Sequence, residues 1–174
     1  MTRLSATNTS IYIAQGEQAI GDREDHIIST ILGSCVAVCL WDRVRKIGGM
    51  NHILLPDRAG SDILTLSVGA GAMEGLINAL LKAGAMKSDF EAKVFGGAAV
   101  VAGLSDIGER NGEFVMGYLE TERIPVISKS LGGTQARRLR FWPAAGRASQ
   151  KLVVSSEAPP VETKAASAND LELF

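Results

Sequence analysis

The chain has few of the side chains that most often bind metals or act as nucleophiles. Its 174 residues include only two cysteines and two histidines. Two cysteines cannot build the disulfide framework of a small secreted protein, and unpaired cysteines fit a reducing cytoplasm, which is the localisation we expect. No second pair of Cys or His occurs at ligand spacing, so zinc is a weak alternative. Because cysteine and histidine are so few, the chain offers few candidate pairs of a nucleophile and its base.

Other absences narrow the class of protein further. The formal net charge is −1, which argues against nucleic acid as a partner. No apolar run approaches the length of a membrane span, and the first ten residues lack the apolar core of a signal peptide. The doublet Gly96-Gly97 is not followed by Gly-Lys-Ser/Thr, so a phosphate loop is not indicated. We therefore expect no membrane insertion, no cofactor and no metal.

What the chain does contain is a large apolar fraction, 46%, of which little is aromatic. Its length fits one domain with an aliphatic core. We predict a flexible N-terminus over residues 1–10, a folded domain over residues 11–154 and a disordered C-terminal tail over residues 155–174. The tail is rich in Ala, Ser, Pro and Glu, a composition that cannot bury enough apolar surface to fold. The polar stretch 16–25 is predicted to be a loop.

Hydrophobic periodicity predicts an α+β fold. Strands are predicted over residues 11–14, 26–32, 36–42, 47–56, 90–95, 126–128, 137–141 and 151–154. A first helix is predicted from apolar residues on one face, namely Met73, Leu76, Ile77, Leu80 and Leu81, with Gly84 ending it. A second helix is predicted to begin near Asp106, which can form a capping box with Glu109. We expect a buried β-sheet or β-sandwich core with two main helices packed on it, in a single domain.

Cys35 opens one strand of a predicted hairpin, and His52 lies on the other strand. The charged stretch 43–46 forms the turn between them. If Asp42 faces Ile47, then Cys35 faces Leu54, and His52 lies two residues away on the same face. Such diagonal neighbours are about 7–8 Å apart at the backbone, within reach of a long side chain. The hairpin therefore predicts that Cys35 and His52 come together.

A cysteine and a histidine at this distance form a nucleophile and its base. Free cysteine is also among the most buried residue types, and Cys39 fits that structural reading better because it lies in the middle of its strand. A disulfide between the two cysteines is not expected, since four residues of strand span about 13 Å and bridged Cα atoms lie within about 7 Å. Cys35 is the candidate nucleophile.

Two blocks of sequence resemble one bacterial family. They run from Thr30 to Asp42, TILGSCVAVCLWD, and from Gly49 to Pro56, GMNHILLP. Shorter matches follow at residues 93–98, 107–111, 124–126 and 131–133. Together they resemble the CheD family of chemoreceptor glutamine deamidases from about Ile11 to Val154, which would make residues 11–154 a deamidase domain.

The resemblance implies a Cys-His-Thr triad in which Cys35 matches the nucleophile and His52 the base. Thr30 is the natural third member, but Ser29 has a hydroxyl one residue away, and the sequence leaves both open. The implied reaction is hydrolysis of glutamine side-chain amides to glutamate and ammonia on methyl-accepting chemotaxis receptors. The resemblance also implies an alternative role as a regulatory binding module that docks on receptors or on a CheC-type phosphatase. A weaker reading is a Cys-His acyltransferase or protease.

A cluster of arginines lies near the end of the folded part. On a predicted strand, Arg138 and Arg140 point one way and Arg137 the other. Receptor signalling helices of the resembled class are rich in Glu, so a basic strand could steer such a helix toward Cys35. The alternative is a solvated edge strand whose charges prevent aggregation.

Overall fold

Two sheets stacked on each other, with helices covering one of them, form the architecture of the protein. The computed structural model describes residues 2–56, 62–101, 105–154 and 171–174. Within those residues the strands are β1 (Thr2–Arg3), β2 (Ser10–Tyr12), β3 (Gln18–Gly21), β4 (Ile27–Leu32), β5 (Val36–Asp42), β6 (Ile47–Asn51), β7 (Phe90–Gly96), β8 (Val126–Leu131), β9 (Ala136–Trp142), β10 (Arg147–Val153) and β11 (Leu171–Leu173). The helices are α1 (Asp62–Lys82), a short 3₁₀ turn (Lys87–Asp89) and α2 (Ser105–Thr121).

The central sheet has the strand order β1-β3-β6-β5-β7-β8, and the outer sheet has the order β11-β10-β9-β4-β2. Every residue of β5 is buried, because this strand has the outer sheet on one face and the helices on the other. A strand covered on both faces reads as a continuous apolar run, which is how β5 appears in the sequence. The predicted α+β fold with a sandwich core is confirmed.

The two helices pack on the central sheet. In α1 the buried face is formed by Met73, Leu76, Ile77 and Leu80, and in α2 by Val115 and Leu119. Leu81, which we predicted for the buried face of α1, is 40% exposed because it lies at the edge of that face. The predicted stop at Gly84 is confirmed, since its φ of +102° is a conformation that glycine adopts readily. Helix α2 begins at Ser105, so Asp106 lies inside the first turn rather than at the cap.

Helix α1 corrects the expectation that no apolar run approaches the length of a membrane span. Its segment Ile63–Lys82 is long and apolar enough to cross a bilayer by length and composition. The same test is passed by core helices, and here Met73, Leu76 and Leu80 are fully buried against the central sheet. Most of the exposed apolar residues of α1 lie in its first two turns, at Ile63, Leu64, Leu66 and Val68.

Two short strands near the N-terminus were not expected. Strand β3 lies within the predicted loop 16–25 and pairs with β6, while β1 lies within the predicted flexible segment 1–10 and pairs with β3. Strand β3 is held by burial rather than by strong strand propensity, because Ala19 and Ile20 are almost completely buried. Both residues of β1 are exposed, and the buried Leu4 follows this strand directly. Part of residues 1–10 therefore pairs with the central sheet, and the flexible N-terminus over residues 1–10 stays a prediction.

The end of the chain also departs from the expected disordered tail over residues 155–174. Strand β11 pairs with β10 at the edge of the outer sheet, and the ring of Phe174 packs edge-on against Phe95 at 5.3 Å. Lys93, itself buried, donates a hydrogen bond to the Phe174 carbonyl oxygen at 2.5 Å. Residues 171–174 thus lie against the outer sheet, residues 155–170 lie outside the described part of the chain, and the disordered tail over residues 155–174 stays a prediction.

Candidate active site

Cys35 lies in the turn that joins β4 of the outer sheet to β5 of the central sheet. Its carbonyl oxygen accepts a hydrogen bond from the N–H of Gly97 at 2.8 Å. Gly96, at φ +116°, lies so close that a Cβ there would be 2.2 Å from the same oxygen. A side chain at position 96 is therefore excluded by the backbone of Cys35. The Gly96-Gly97 doublet therefore allows the backbone at the end of β7 to lie close to the backbone of Cys35.

His52 follows β6, in the register that the sequence predicts. Asp42 is paired with Ile47, and an isolated bridge joins Val36 to Ile53 in the same register. The next pair in that register is Cys35 with Leu54. The side chains of Cys35 and His52 are therefore diagonal neighbours on one face of the hairpin, as expected.

The ladder between β5 and β6 is interrupted just before His52. The N–H of Val38 donates to the side-chain oxygen of Asn51 at 3.0 Å instead of bonding its backbone. The backbone of His52 bonds instead toward the β3 side, with its N–H donating to the Glu17 carbonyl and its carbonyl accepting from the Gly16 N–H. The buried side chain of Asn51 thus spans a gap between the strand of the cysteine and the strand of the histidine.

The imidazole of His52 is hydrogen-bonded to Thr30. The distance from Thr30 Oγ1 to His52 Nδ1 is 2.8 Å, and Thr30 Oγ1 also donates to the carbonyl oxygen of Ile13 at 2.7 Å. A hydroxyl has a single proton, and a carbonyl only accepts, so that proton belongs to the bond with Ile13. Nδ1 must then donate its own proton to Oγ1. In the neutral ring this leaves an unprotonated lone pair on Nε2.

Of the two hydroxyl residues that the sequence left open, Thr30 is the one in contact with His52. Residues alternate along β4, so Thr30 is fully buried between the sheets, while Ser29 lies on the other face. The Ser29 hydroxyl donates to the Ile11 carbonyl oxygen at 3.4 Å.

Burial moves the pKa values of both candidate groups toward their neutral forms. The pKa of the Cys35 thiol is raised by burial, with its own backbone N–H offsetting part of the rise. The pKa of His52 is lowered by burial, with the Ile13 carbonyl opposing that change. The pKa of Cys39 is raised much further, because this thiol is completely buried. At neutral pH the site therefore holds a protonated thiol and a neutral imidazole, and within the described residues no hydrogen bond joins these two side chains.

The Nε2 atom of His52 is buried and has no hydrogen-bond partner among the residues that the structure describes. A buried nitrogen with a free lone pair costs free energy unless something occupies it. It is available to accept a proton from a group that enters the site or from the neighbouring thiol.

The N–H of Cys35 donates to no backbone carbonyl among the described residues, and its own sulfur is the acceptor that it meets. In a regular ladder it would bond the carbonyl of Gly97, since the Gly97 N–H already bonds the Cys35 carbonyl. Gly97 instead has φ +66°, and its carbonyl oxygen faces α2, where a Cβ on Gly108 would lie 2.5 Å from it. The left-handed turn at Gly97 thus leaves the Cys35 N–H without a carbonyl acceptor from Gly97.

Asn111 of α2 is a residue that the sequence analysis did not single out as functional. Its side chain is 1% exposed, and it bonds both strands of the hairpin. Nδ2 donates to the Ser34 carbonyl oxygen at 2.8 Å, and Oδ1 accepts from the Leu55 N–H at 3.0 Å. The only signal in the sequence was its place in the stretch 107–111, one of the shorter family matches.

A groove of about 470 Å³ lies beside the turn that contains Cys35. Its walls are the first half of α2 and the glycine-rich ends of β7 and β8, including Gly97, Gly108, Glu109 and Gly132. Within the described ranges, no group of three or more His, Cys, Asp or Glu side chains could hold a metal ion.

Comparison with known proteins identifies relatives along most of the chain. A family model described as CheD chemotactic sensory transduction matches residues 54–152. A protein of Caulobacter sp. (strain K31) named probable chemoreceptor glutamine deamidase CheD is 45% identical, over 94% of this chain and 92% of the relative. A protein of the same name from Agrobacterium fabrum is 44% identical, over 98% of this chain and 99% of the relative. The solved structure of Bacillus licheniformis YfiH, a hypothetical protein, is 18% identical with a TM-score of 0.43, over 65% of this chain and 49% of that one.

Proposed function

This chain belongs to the CheD family, and we propose that it hydrolyses glutamine side-chain amides of chemotaxis receptors to glutamate and ammonia. Relatives that match almost its whole length are named chemoreceptor glutamine deamidases, which supports both the reaction and the receptor as substrate. Family membership does not by itself assign the catalytic residues. We assign them here as Cys35, His52 and Thr30.

The reaction begins with proton transfer from the Cys35 thiol to Nε2 of His52. The sulfur then bonds to the amide carbon of the substrate, and the amide oxygen gains the negative charge. His52 returns the proton to the leaving nitrogen as the carbon–nitrogen bond breaks, which releases ammonia and leaves a thioester. Water attacks the thioester with His52 again taking a proton. The carbon–sulfur bond breaks, glutamate leaves, and Cys35 regains its proton.

His52 is suited to be the base because of its hydrogen bond to Thr30. With the proton on Nδ1 committed to Thr30 Oγ1, Nε2 has the lone pair that the thiol proton needs. The lowered pKa keeps the ring neutral at and below neutral pH, so the base form is available. The chain Ile13–Thr30–His52 is the single observation that carries the assignment.

The negative charge on the amide oxygen needs donors at the place where it develops. We assign this role to the N–H of Cys35, which donates to no backbone carbonyl within the described residues.

Mass spectrometry of receptor cytoplasmic fragments, incubated with the protein and with its Cys35→Ala variant, tests the proposal. Each hydrolysed amide is detected as an amide-to-acid mass change at a mapped glutamine, together with released ammonia. We expect both signals with the parent and neither with the variant. Equal signals from the two proteins would overturn the assignment of Cys35, and no signal from either would overturn the reaction.

We also propose that the protein acts in the cytoplasm, because its substrate sites lie on receptor cytoplasmic domains, and that a CheC-type phosphatase is a second partner. Both proposals rest on what the resemblance to the family implies, and the regulatory binding role is the alternative function. Co-purification of Cys35→Ala with receptor fragments and with such a phosphatase separates binding from catalysis. If the variant restored normal receptor signalling in cells that lack the parent, binding would be the main role.

A further inference from the structure

The side chain of Asn111 connects three elements at the candidate active site. It extends from α2, donates to the carbonyl of Ser34, which precedes Cys35, and accepts from the N–H of Leu55, which lies three residues after His52. Both contacts are between 2.8 and 3.0 Å, and the residue is 1% exposed. The strand of the nucleophile and the strand of the base are therefore held by one amide.

The orientation of this amide is determined by its partners. The Ser34 carbonyl can only accept, so it must face the NH₂ group, and the Leu55 N–H can only donate, so it must face the oxygen. Rotating the amide by 180° would place like groups against each other at both contacts. A carboxylate, an alkyl group or a hydroxyl at this position cannot satisfy both partners in the same way.

The place of this contact matters because the hairpin is not continuously bonded there. The ladder of β5 and β6 ends at Cys39 and Met50, and only the bridge from Val36 to Ile53 continues it toward Cys35. Asn51 spans the gap on one side of that bridge, and Asn111 fastens the turn and the strand on the other side. Without Asn111, the turn that contains Cys35 could move relative to His52.

We propose that Asn111 is a positioning residue, which fastens the turn that contains Cys35 to the segment that follows His52, so that the thiol stays within reach of the imidazole. The inference rests on the proposed function, because it concerns the same thiol and imidazole. A displacement of about 1 Å of reacting groups can slow an enzyme by about a hundredfold. Asn111 touches neither the thiol nor the imidazole, so its effect must pass through Cys35 and His52.

The rate of alkylation of Cys35 by iodoacetamide measures the reactivity of the thiol beside His52 without requiring a receptor substrate. Cys39 is completely buried, so the reaction reports on Cys35. The experiment uses the full chain in four forms: the parent, Asn111→Leu, His52→Asn and the double variant. Asn78→Leu is the matched control, since Asn78 is an exposed asparagine on α1. Unfolding in urea establishes that each form is folded under the assay conditions.

We expect Asn111→Leu to slow alkylation at neutral pH by about tenfold in the parent and by less than about twofold in the His52→Asn background. The rate constant kcat for deamidation of a receptor cytoplasmic fragment should fall by about tenfold to a hundredfold with little change in KM. The Asn78→Leu form should match the parent. If Asn111→Leu does not fold, Asn111→Asp replaces it, because aspartate keeps an acceptor for Leu55 but loses the donor to Ser34.

Equal slowing of alkylation in both backgrounds would overturn the inference, because Asn111 would then support the fold without acting through His52. An unchanged alkylation rate in the folded single variant would also overturn it. Failure of the proposed function has a different signature. In that case the parent releases no ammonia, or His52→Asn alkylates as fast as the parent, whatever Asn111 does.

Discussion

Replacing Thr30 by valine removes the hydroxyl from the buried site and nearly keeps the shape of the side chain. Two hydrogen bonds disappear, the 2.7 Å bond to the Ile13 carbonyl and the 2.8 Å bond from His52 Nδ1. The remaining Ile13 oxygen and Nδ1–H group are buried, and leaving such a group without a partner costs roughly 1–3 kcal/mol. We expect Thr30→Val to be destabilised by roughly 1–3 kcal/mol for each of these two groups and still to fold.

The effect on catalysis follows from the ring tautomer. A net hydrogen bond contributes about 0.5–1.5 kcal/mol, and about 1.4 kcal/mol corresponds to a tenfold change in rate. Without Thr30, the proton is no longer favoured on Nδ1, and the fraction of rings with a free Nε2 falls. We expect kcat for receptor deamidation to fall by about tenfold, less than for loss of Cys35 or His52. Thr30→Ser, which keeps the hydroxyl, should recover most of the activity.

Two assays check this reasoning. Ammonia release from a receptor cytoplasmic fragment measures kcat, and ¹⁵N NMR of labelled histidine reports which ring nitrogen of His52 carries the proton. We expect the parent to show the proton on Nδ1 and Thr30→Val to show a mixture. The reasoning would be refuted by a parent with the proton on Nε2, or by a folded Thr30→Val with unchanged kcat. If Ser29→Ala lowered kcat more than Thr30→Val does, the third member of the triad would be Ser29 instead of Thr30.

Three further predictions concern the nucleophile, the base and the docking surface. Cys35→Ala should abolish ammonia release while the protein stays folded, and Cys39→Ala should keep most activity, because Cys39 is a fully buried core residue. His52→Asn should lower kcat by about a hundredfold to ten-thousandfold. For the parent, kcat/KM should rise with pH through the lowered pKa of His52 and then stay level. At higher pH, where Cys35 ionises at its raised pKa without a base, the loss of activity in His52→Asn should become smaller. Arg138 and Arg140 are both exposed on the outer sheet. Reversing their charges should lower the second-order rate constant for deamidation of a whole receptor fragment but not of a small glutamine peptide. Added salt should lower the rate constant for the parent in the same way, because it screens surface charges.

Each of these predictions has a result that would contradict it. Near-parental ammonia release from Cys35→Ala would exclude this thiol as the nucleophile. A small loss in His52→Asn that is the same at every pH would exclude His52 as the base. Arg138 and Arg140 lie opposite Ile31 and Ser29, on the face of the outer sheet away from Thr30, so they can act only at a distance. Equal losses on the receptor fragment and the small peptide would mean that the arginines support the fold.

Local patterns in the sequence were sufficient to predict the hairpin that contains the candidate site. The bounds of β5, the turn at residues 43–46 and the pairing of Asp42 with Ile47 all follow from an apolar run, a charged break and a second apolar run. The register was predictable because a slip of one residue would move every apolar side chain to the wrong face. Cys35 and His52 could therefore be chosen as a pair before the fold was known.

Short strands with weak propensity were not predictable. Strands β3 and β11 are only four and three residues long, and each exists because a longer strand offers it a free edge. Leu81 has the spacing of a buried residue but lies beyond the surface that the central sheet covers. In each case the outcome depended on an element distant in sequence.

The sequence by itself determined the apolar strands and the helix with its glycine stop, and it indicated Cys35 and His52 as the candidate thiol and base. Those features depend on neighbours within one hairpin or one helix. Only the tertiary structure decided that Thr30 rather than Ser29 meets the imidazole, because that choice depends on which face of β4 lies against the central sheet. It also decided the contacts of Asn111, since an amide in α2 meets the carbonyl of Ser34 only when the helix packs across both strands of the hairpin.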